Sequence, residues 1–180
     1  MSNQLDGCKV AILVSNGFEE SELVKPRQAL DDAGAKTFII SPEKEMVRGW
    51  NDNNWSTTYP VDIHLDSANP SEFDALLLPG GVINPDKLRL SAKAIDFIAY
   101  IGNAGKPIAA ICHGPWTLIN AGLVRSKTVT SWPSIRIDLE NAGASWADKE
   151  VVIDGQLITS RKPDDIPAFN EAMIKLFSIK

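Results

Sequence analysis

The sharpest chemical signal in this sequence is a cysteine that directly follows a short apolar run and precedes His-Gly-Pro: Ile108-Ala-Ala-Ile-Cys-His-Gly-Pro115. A buried strand, a nucleophile, then glycine and the start of a helix is the logic of a nucleophile elbow, here with Cys in the place of Ser. Such a turn exposes the side chain, and a new helix aims free N–H groups and a positive dipole end at the sulfur. Cys112 is therefore expected to be the nucleophile and to be largely thiolate at neutral pH. The bland alternative, a buried structural cysteine, is the commoner fate of a lone thiol; the following His-Gly-Pro argues against it. Cys8 has no such setting and reads as incidental.

Three further segments carry candidate partners. His113, next to Cys112, is expected to border the same pocket and move protons. Glu19 and Glu20 stand where a first strand gives way to a helix. Glu19 reads as ordinary helix-start charge, and Glu20 as a carboxyl that turns inward, is raised by burial beside the thiolate, and donates a hydrogen bond to sulfur. Gly80-Gly81, after a third apolar run, is a turn whose bare backbone could offer amides for an oxyanion hole, together with the His113 amide. His64, in an alternating stretch, reads as a polar-face strand residue. With two histidines and two cysteines in all, the chain offers no metal-ligand cluster, and it has neither G-x-G-x-x-G nor a P-loop. No cofactor is expected.

The elements that must position these residues follow from pattern. Val10–Val14, Thr37–Ile40, Ala75–Leu78 and Ile108–Ile111 are continuous apolar runs suited to strands buried on both faces. Helical spacing occupies Glu20–Ala33, Ser91–Asn103, Gly114–Ala121 and Ile166–Phe177. Val151–Thr159 reads as a hairpin around Asp154-Gly155, and Thr130-Ser-Trp-Pro133 as the end of another strand. Arg48–Tyr59 looks like an irregular loop whose two tryptophans could cover a site. Alternating strands and helices mean a doubly wound α/β domain with a mostly parallel sheet, spanning residues 1–180 as one unit. Ligands in such sheets bind beyond the carboxyl ends of the strands, where the candidate segments fall.

Composition narrows the class. The chain has 180 residues, 44% of them hydrophobic, and a net charge of −5, an ordinary globular balance that attracts neither nucleic acid nor a membrane surface. Without a signal-peptide pattern or an apolar run of about 18 residues, the expected location is cytoplasmic, where a thiol stays reduced.

Ala110-Ile-Cys-His-Gly-Pro115, Gly17-Phe-Glu-Glu20, Phe73–Gly81 and Ser160-Arg161 with Pro163-Asp164 together resemble the PfpI family of the ThiJ/PfpI superfamily. The resemblance implies a flavodoxin-like fold, with Cys112, His113 and Glu20 as nucleophile, adjacent histidine and thiolate-contacting glutamate, and Gly80 or Gly81 as oxyanion amide. It implies dimers or larger rings. In the peptidase-type members an acid from a neighbouring subunit completes the site, and the matching position is Asp86. Trp116 and Trp132 depart from the family pattern and are expected to narrow the substrate pocket. Expected substrates are small aldehydes, glycated proteins or peptides.

Three readings follow. In the leading one the chain is a glyoxalase- or deglycase-type enzyme in stress defence, with Cys112 adding to a reactive carbonyl. A second is a peptidase or amidase with a shared Cys112–His113–Asp86 site. A third is a non-enzymatic redox sensor in which Cys112 is oxidised. A glutamine amidotransferase would need a catalytic histidine downstream of His113, and none exists.

Overall fold

The computed structural model describes residues 4–179. In chain order the elements are β1 (Lys9–Leu13), β2 (Phe18–Glu19), α1 (Glu20–Asp32), β3 (Lys36–Ser41), β4 (Met46–Asn51), β5 (Asn54–Pro60), β6 (Ile63–His64) and β7 (Ala75–Leu78). Then come α2 (Ile83–Arg89), α3 (Ala92–Asn103), β8 (Ile108–Ile111), α4 (Pro115–Asn120), β9 (Thr128–Val129), α5 (Arg136–Asn141), β10 (Ser145–Trp146), β11 (Val151–Asp154), β12 (Leu157–Ser160) and α6 (Ile166–Phe177).

Seven strands form the central sheet in the order β11-β12-β8-β7-β1-β3-β6, parallel except for the β11–β12 hairpin. From β1 the chain winds outward through β3 and β6, then returns to lay β7, β8 and β12 on the other side. The reversal between β1 and β7 is the switch point at which open α/β sheets hold ligands. The fold is flavodoxin-like, as expected.

Apolar runs buried on both faces build two cores. Val10 and Ile12 point to one side, against Leu23 and Leu30 of α1 and Phe169 and Met173 of α6. Ala11 and Leu13 point to the other, against Ala94, Phe97 and Ile98 of α3, Leu118 of α4 and Leu139 of α5. With helices clamped on both faces, the strand ends are fixed relative to one another.

One expectation fails here. Arg48–Tyr59 is not an irregular loop: β4 and β5 pair as an antiparallel hairpin, joined to the two-residue strand β2 in a separate sheet. The turn residues Asp52 and Asn53 both have positive φ (47° and 62°), as a tight two-residue turn with right-handed twist requires. The strand preceding Thr130 is real but short; β9 pairs with β10 away from the main sheet.

Candidate active site

The site is built where β1, β7 and β8 end. Cys112 follows β8 immediately and has φ of +62°. This left-handed backbone is costly for a residue with a Cβ and persists only where its surroundings enforce it. The Cys112 amide donates to Ser160 O at 3.0 Å, and its carbonyl accepts from the Trp132 amide at 2.9 Å. The turn then closes with Gly114 N–H on Ile111 O at 2.8 Å. A Cβ at Gly114 would stand 2.5 Å from the Leu78 carbonyl, so only glycine lets the turn nest against β7.

The acid beside the thiol is Glu22. Its side chain is fully buried, and Oε2 accepts from the Gly80 amide at 2.8 Å. The carboxyl also interacts with the Cys112 thiol and the Gly81 amide. Burial, above all, pushes its pKa up to about 8, so it holds its proton at neutral pH. The other oxygen, Oε1, is buried without a hydrogen-bond partner among the described residues. Burial tolerates that far better in a neutral acid than in a carboxylate.

Glu20, the expected partner, is elsewhere. It accepts from the Tyr59 hydroxyl at 2.6 Å, and this bond above all holds its carboxyl below the usual range. It is an anchor for the β4–β5 hairpin, not a thiol ligand. Geometry explains the exchange. A helix turns about 100° per residue, so Glu20 and Glu22 on α1 point to nearly opposite sides.

The expected thiolate needs correction as well. Cys112 is only 7% exposed. Burial, then the negative charge Glu22 carries once ionised, push the thiol well above its ordinary value, while the Gly81 and His113 amides pull it down. Thiol and carboxyl thus form a coupled pair that retains protons at neutral pH.

His113 is 7% exposed, with Nδ1 3.3 Å from Cys112 Sγ and Nε2 3.3 Å from Ser134 Oγ. Burial lowers its pKa and keeps the ring neutral. Its ring stacks on Trp132 at a centroid distance of 6.1 Å and an interplanar angle of 25°. Trp132 lines the cavity. Trp116 does not: it packs behind His113, its indole N–H on Asp138 at 2.8 Å and the Arg89 guanidinium over its face.

The two glycines divide their work. The Gly80 amide is taken by Glu22, which removes it from the expected oxyanion role. Gly81, at φ +74°, and His113 both offer their amides to the sulfur. A Cβ at Gly81 would lie 2.5 Å from Gly17 O. Asp86 sits on the exposed face of α2, and the His113 ring pairs with Cys112 and Ser134 instead.

Asn84 is a residue that sequence reasoning missed. Fully buried on α2, its Oδ1 accepts from the Ser15 amide at 2.7 Å, and its Nδ2 donates to Pro79 O at 3.0 Å and Gly80 O at 3.1 Å. It ties the end of β1 to the turn after β7 and so fixes the amides that face Glu22 and the thiol.

Cys112, His113, Glu22 and Gly81 line a cavity of about 490 Å³ that is open to solvent. Trp50 and Asn53, from the hairpin, complete one wall. Among the described residues no three His, Cys, Asp or Glu side chains cluster to hold a metal ion, and no helix is long and apolar enough to cross a membrane.

A cysteine at a strained strand-to-helix turn, an adjacent histidine and a buried acid thus meet at the switch point of a flavodoxin-like domain. The sequence profile of the DJ-1/PfpI family matches residues 8–176, and the chain belongs to that family. It is 42% identical over 168 residues to a deglycase of Pyrococcus horikoshii, covering 93% of this chain and 98% of the relative. It is 44% identical over 172 residues to general stress protein 18 of Bacillus subtilis, covering 94% and 98%. Among solved structures, Drosophila melanogaster DJ-1beta superposes with a TM-score of 0.86 at 30% identity, covering all of this chain and 92% of that one.

Proposed function

We propose that this protein is a cysteine-dependent, cofactor-independent enzyme acting on reactive carbonyls, of glyoxalase or deglycase type. The observation that carries the reading is the buried Cys112–Glu22 pair, an acid kept protonated beside a nucleophile. The deglycase named among its relatives supports the same chemistry.

On a 2-oxoaldehyde, Cys112 sulfur attacks the aldehyde carbon. The thiol proton passes to the neutral His113 ring at 3.3 Å and on to the former carbonyl oxygen, giving a hemithioacetal. The Gly81 and His113 amides stabilise negative charge on that oxygen as it develops. Glu22 and His113 then relay the proton on that carbon to the neighbouring carbonyl carbon by way of an enediol. The product is a thioester of a 2-hydroxy acid. Water cleaves it, releasing the acid and restoring the thiol. On the hemiaminal or hemithioacetal that such an aldehyde forms with an amine or thiol, the Cys112 C–S bond forms as the bond to the original amine or thiol breaks, that group leaves with the thiol proton passed on by His113, and the same enzyme-bound hemithioacetal results.

The peptidase reading requires an acid to orient His113. In this chain Ser134 occupies Nε2, which favours the carbonyl chemistry. Asp86, exposed on α2, would act only from a second subunit in a homodimer. Mixing Cys112→Ala with Asp86→Ala subunits should then restore activity; an Asp86→Ala protein of unchanged rate removes the shared site.

The test of the leading reading is D-lactate formation from methylglyoxal in thiol-free buffer, comparing wild type with Cys112→Ala and Glu22→Gln. Turnover lost in both supports the proposal. Turnover unchanged in Cys112→Ala contradicts it.

A further inference from the structure

His113 has a partner on each ring nitrogen, and neither is a carboxylate. Nδ1 faces Cys112 Sγ at 3.3 Å, and Nε2 faces Ser134 Oγ at 3.3 Å. Among the described residues, the one histidine within ion-pair distance of a carboxylate is His64, beside Asp66. The charged groups behind the ring are engaged with Trp116: Asp138 accepts its indole N–H, and Arg89 lies over its face. Trp116 and Trp132 flank the imidazole and restrict its rotation.

The segment that carries Ser134 is tied to the elbow. The Trp132 amide donates to the Cys112 carbonyl at 2.9 Å, and the Ile135 amide closes the Pro133–Ile135 turn on the Trp132 carbonyl at 3.2 Å. The Ile135 side chain is buried beneath the turn, whereas Ser134 is exposed. Its hydroxyl therefore joins a buried ring to the surface. The hydrogens along this path follow from the groups themselves. A Glu22 that holds its proton donates toward the sulfur, which directs the thiol's own hydrogen to Nδ1. A neutral imidazole that accepts at Nδ1 carries its hydrogen on Nε2, and that hydrogen faces Ser134.

We infer that Ser134 is a positioning residue for the reaction: its hydroxyl accepts the His113 Nε2–H and leaves Nδ1 bare toward the Cys112 thiol. This rests on the reading of Cys112 as the nucleophile. As the S–H bond breaks, its proton forms the N–H bond at Nδ1, and its electron pair forms the S–C bond. The ring is then an imidazolium, and the Ser134 oxygen supports it through Nε2–H, the task an acid performs in a triad. The Nδ1 proton goes on to the former carbonyl oxygen.

The experiment combines ¹⁵N NMR of the imidazole rings at pH 7 with the rate of Cys112 alkylation by iodoacetamide. The chain has two histidines, and His64→Gln tells their signals apart. Wild type should carry the His113 ring proton on Nε2, protected from exchange with water. Ser134→Ala should lose that protection and alkylate three- to tenfold more slowly at pH 7, with an unchanged urea midpoint because the residue is exposed. Ser134→Thr, which keeps the hydroxyl, should restore both readings. A ring proton on Nδ1 in wild type overturns the inference. So does Ser134→Ala alkylation slowed less than threefold, or a Ser134→Thr protein that matches Ser134→Ala. Neither reading needs turnover. Cys112-dependent lactate formation with alkylation unaffected by Ser134→Ala removes the role of Ser134 and leaves the proposed function standing. A protected Nε2 proton and slowed alkylation without lactate formation in wild type do the reverse.

Discussion

The elbow at Cys112 and the hairpin turn at Asp52-Asn53 face the same cavity but are held by different forces. Behind the elbow lie β7 and β8, buried without exception, and a glycine that admits no side chain. The hairpin is held largely by polar contacts: Arg48 N–H on Asn16 Oδ1 at 2.7 Å, Gly17 N–H on Arg48 O at 2.8 Å, and Tyr59 on Glu20 at 2.6 Å. Packed cores resist displacement, whereas solvent competes for exposed hydrogen bonds. On the proposed function, bond-making falls to the rigid region, and the hairpin supplies an adjustable wall of the cavity.

Substitutions should separate the two regions. Cys112→Ala removes the nucleophile and should reduce turnover to the buffer background. Next, Glu22→Gln should lower kcat/KM by about 10²–10⁴-fold, the usual contribution of a positioned acid or base. It should also stabilise the fold. Glu22 has a folded pKa of about 8 against an ordinary 4.5, so between these values the unfolded state binds fewer protons and wild-type stability falls as pH rises. The variant should therefore match wild type near pH 4 and exceed it by on the order of a few kcal/mol at pH 8. Equal stabilities at pH 8, by urea titration, would show that Glu22 is ionised in the fold.

Asn84→Ala leaves one donor and two acceptors without their partner and should cost about 1–3 kcal/mol of stability. Because the loosened turn carries the Gly81 amide, kcat should fall more than KM rises. Glu20→Gln is expected to have the smallest effect: less than threefold in kcat with methylglyoxal, with any change confined to faster hydrogen exchange in β4 and β5. A Glu20→Gln protein as impaired as Glu22→Gln would break the division between the regions.

The same division governs what the sequence reveals. Ala75–Leu78, Ile108–Ile111 and Ile166–Phe177 are legible to the residue because an uninterrupted apolar run, or apolar residues at helical spacing, has one stable use in a doubly wound sheet. The hairpin is obscure because most residues of β5 are exposed and carry no alternation. Its one local signal, the run Asn51-Asp-Asn-Asn54, suits a tight turn with positive φ at the two central positions. Glu22 is hidden by company: three carboxylates at the start of α1 look alike as helix-start charge. Its spacing distinguishes it, since Glu22, Pro26 and Leu30 follow at i, i+4 and i+8 on the buried stripe. A carboxyl on that stripe must be neutral, paired or functional. Asn84 left no trace, because the backbone groups it joins are more than 60 residues apart along the chain.

The proposed chemistry requires Glu22 to keep its proton beside Cys112 at neutral pH. Infrared difference spectroscopy of the carboxylic-acid C=O stretch reads this directly. At pH 7 a protonated-carboxyl band should be present in wild type and in Glu20→Gln, vanish in Glu22→Gln, and titrate away in wild type with a midpoint near 8. Absence of the band in wild type at pH 7, or its survival in Glu22→Gln, would show that Glu22 does not hold that proton.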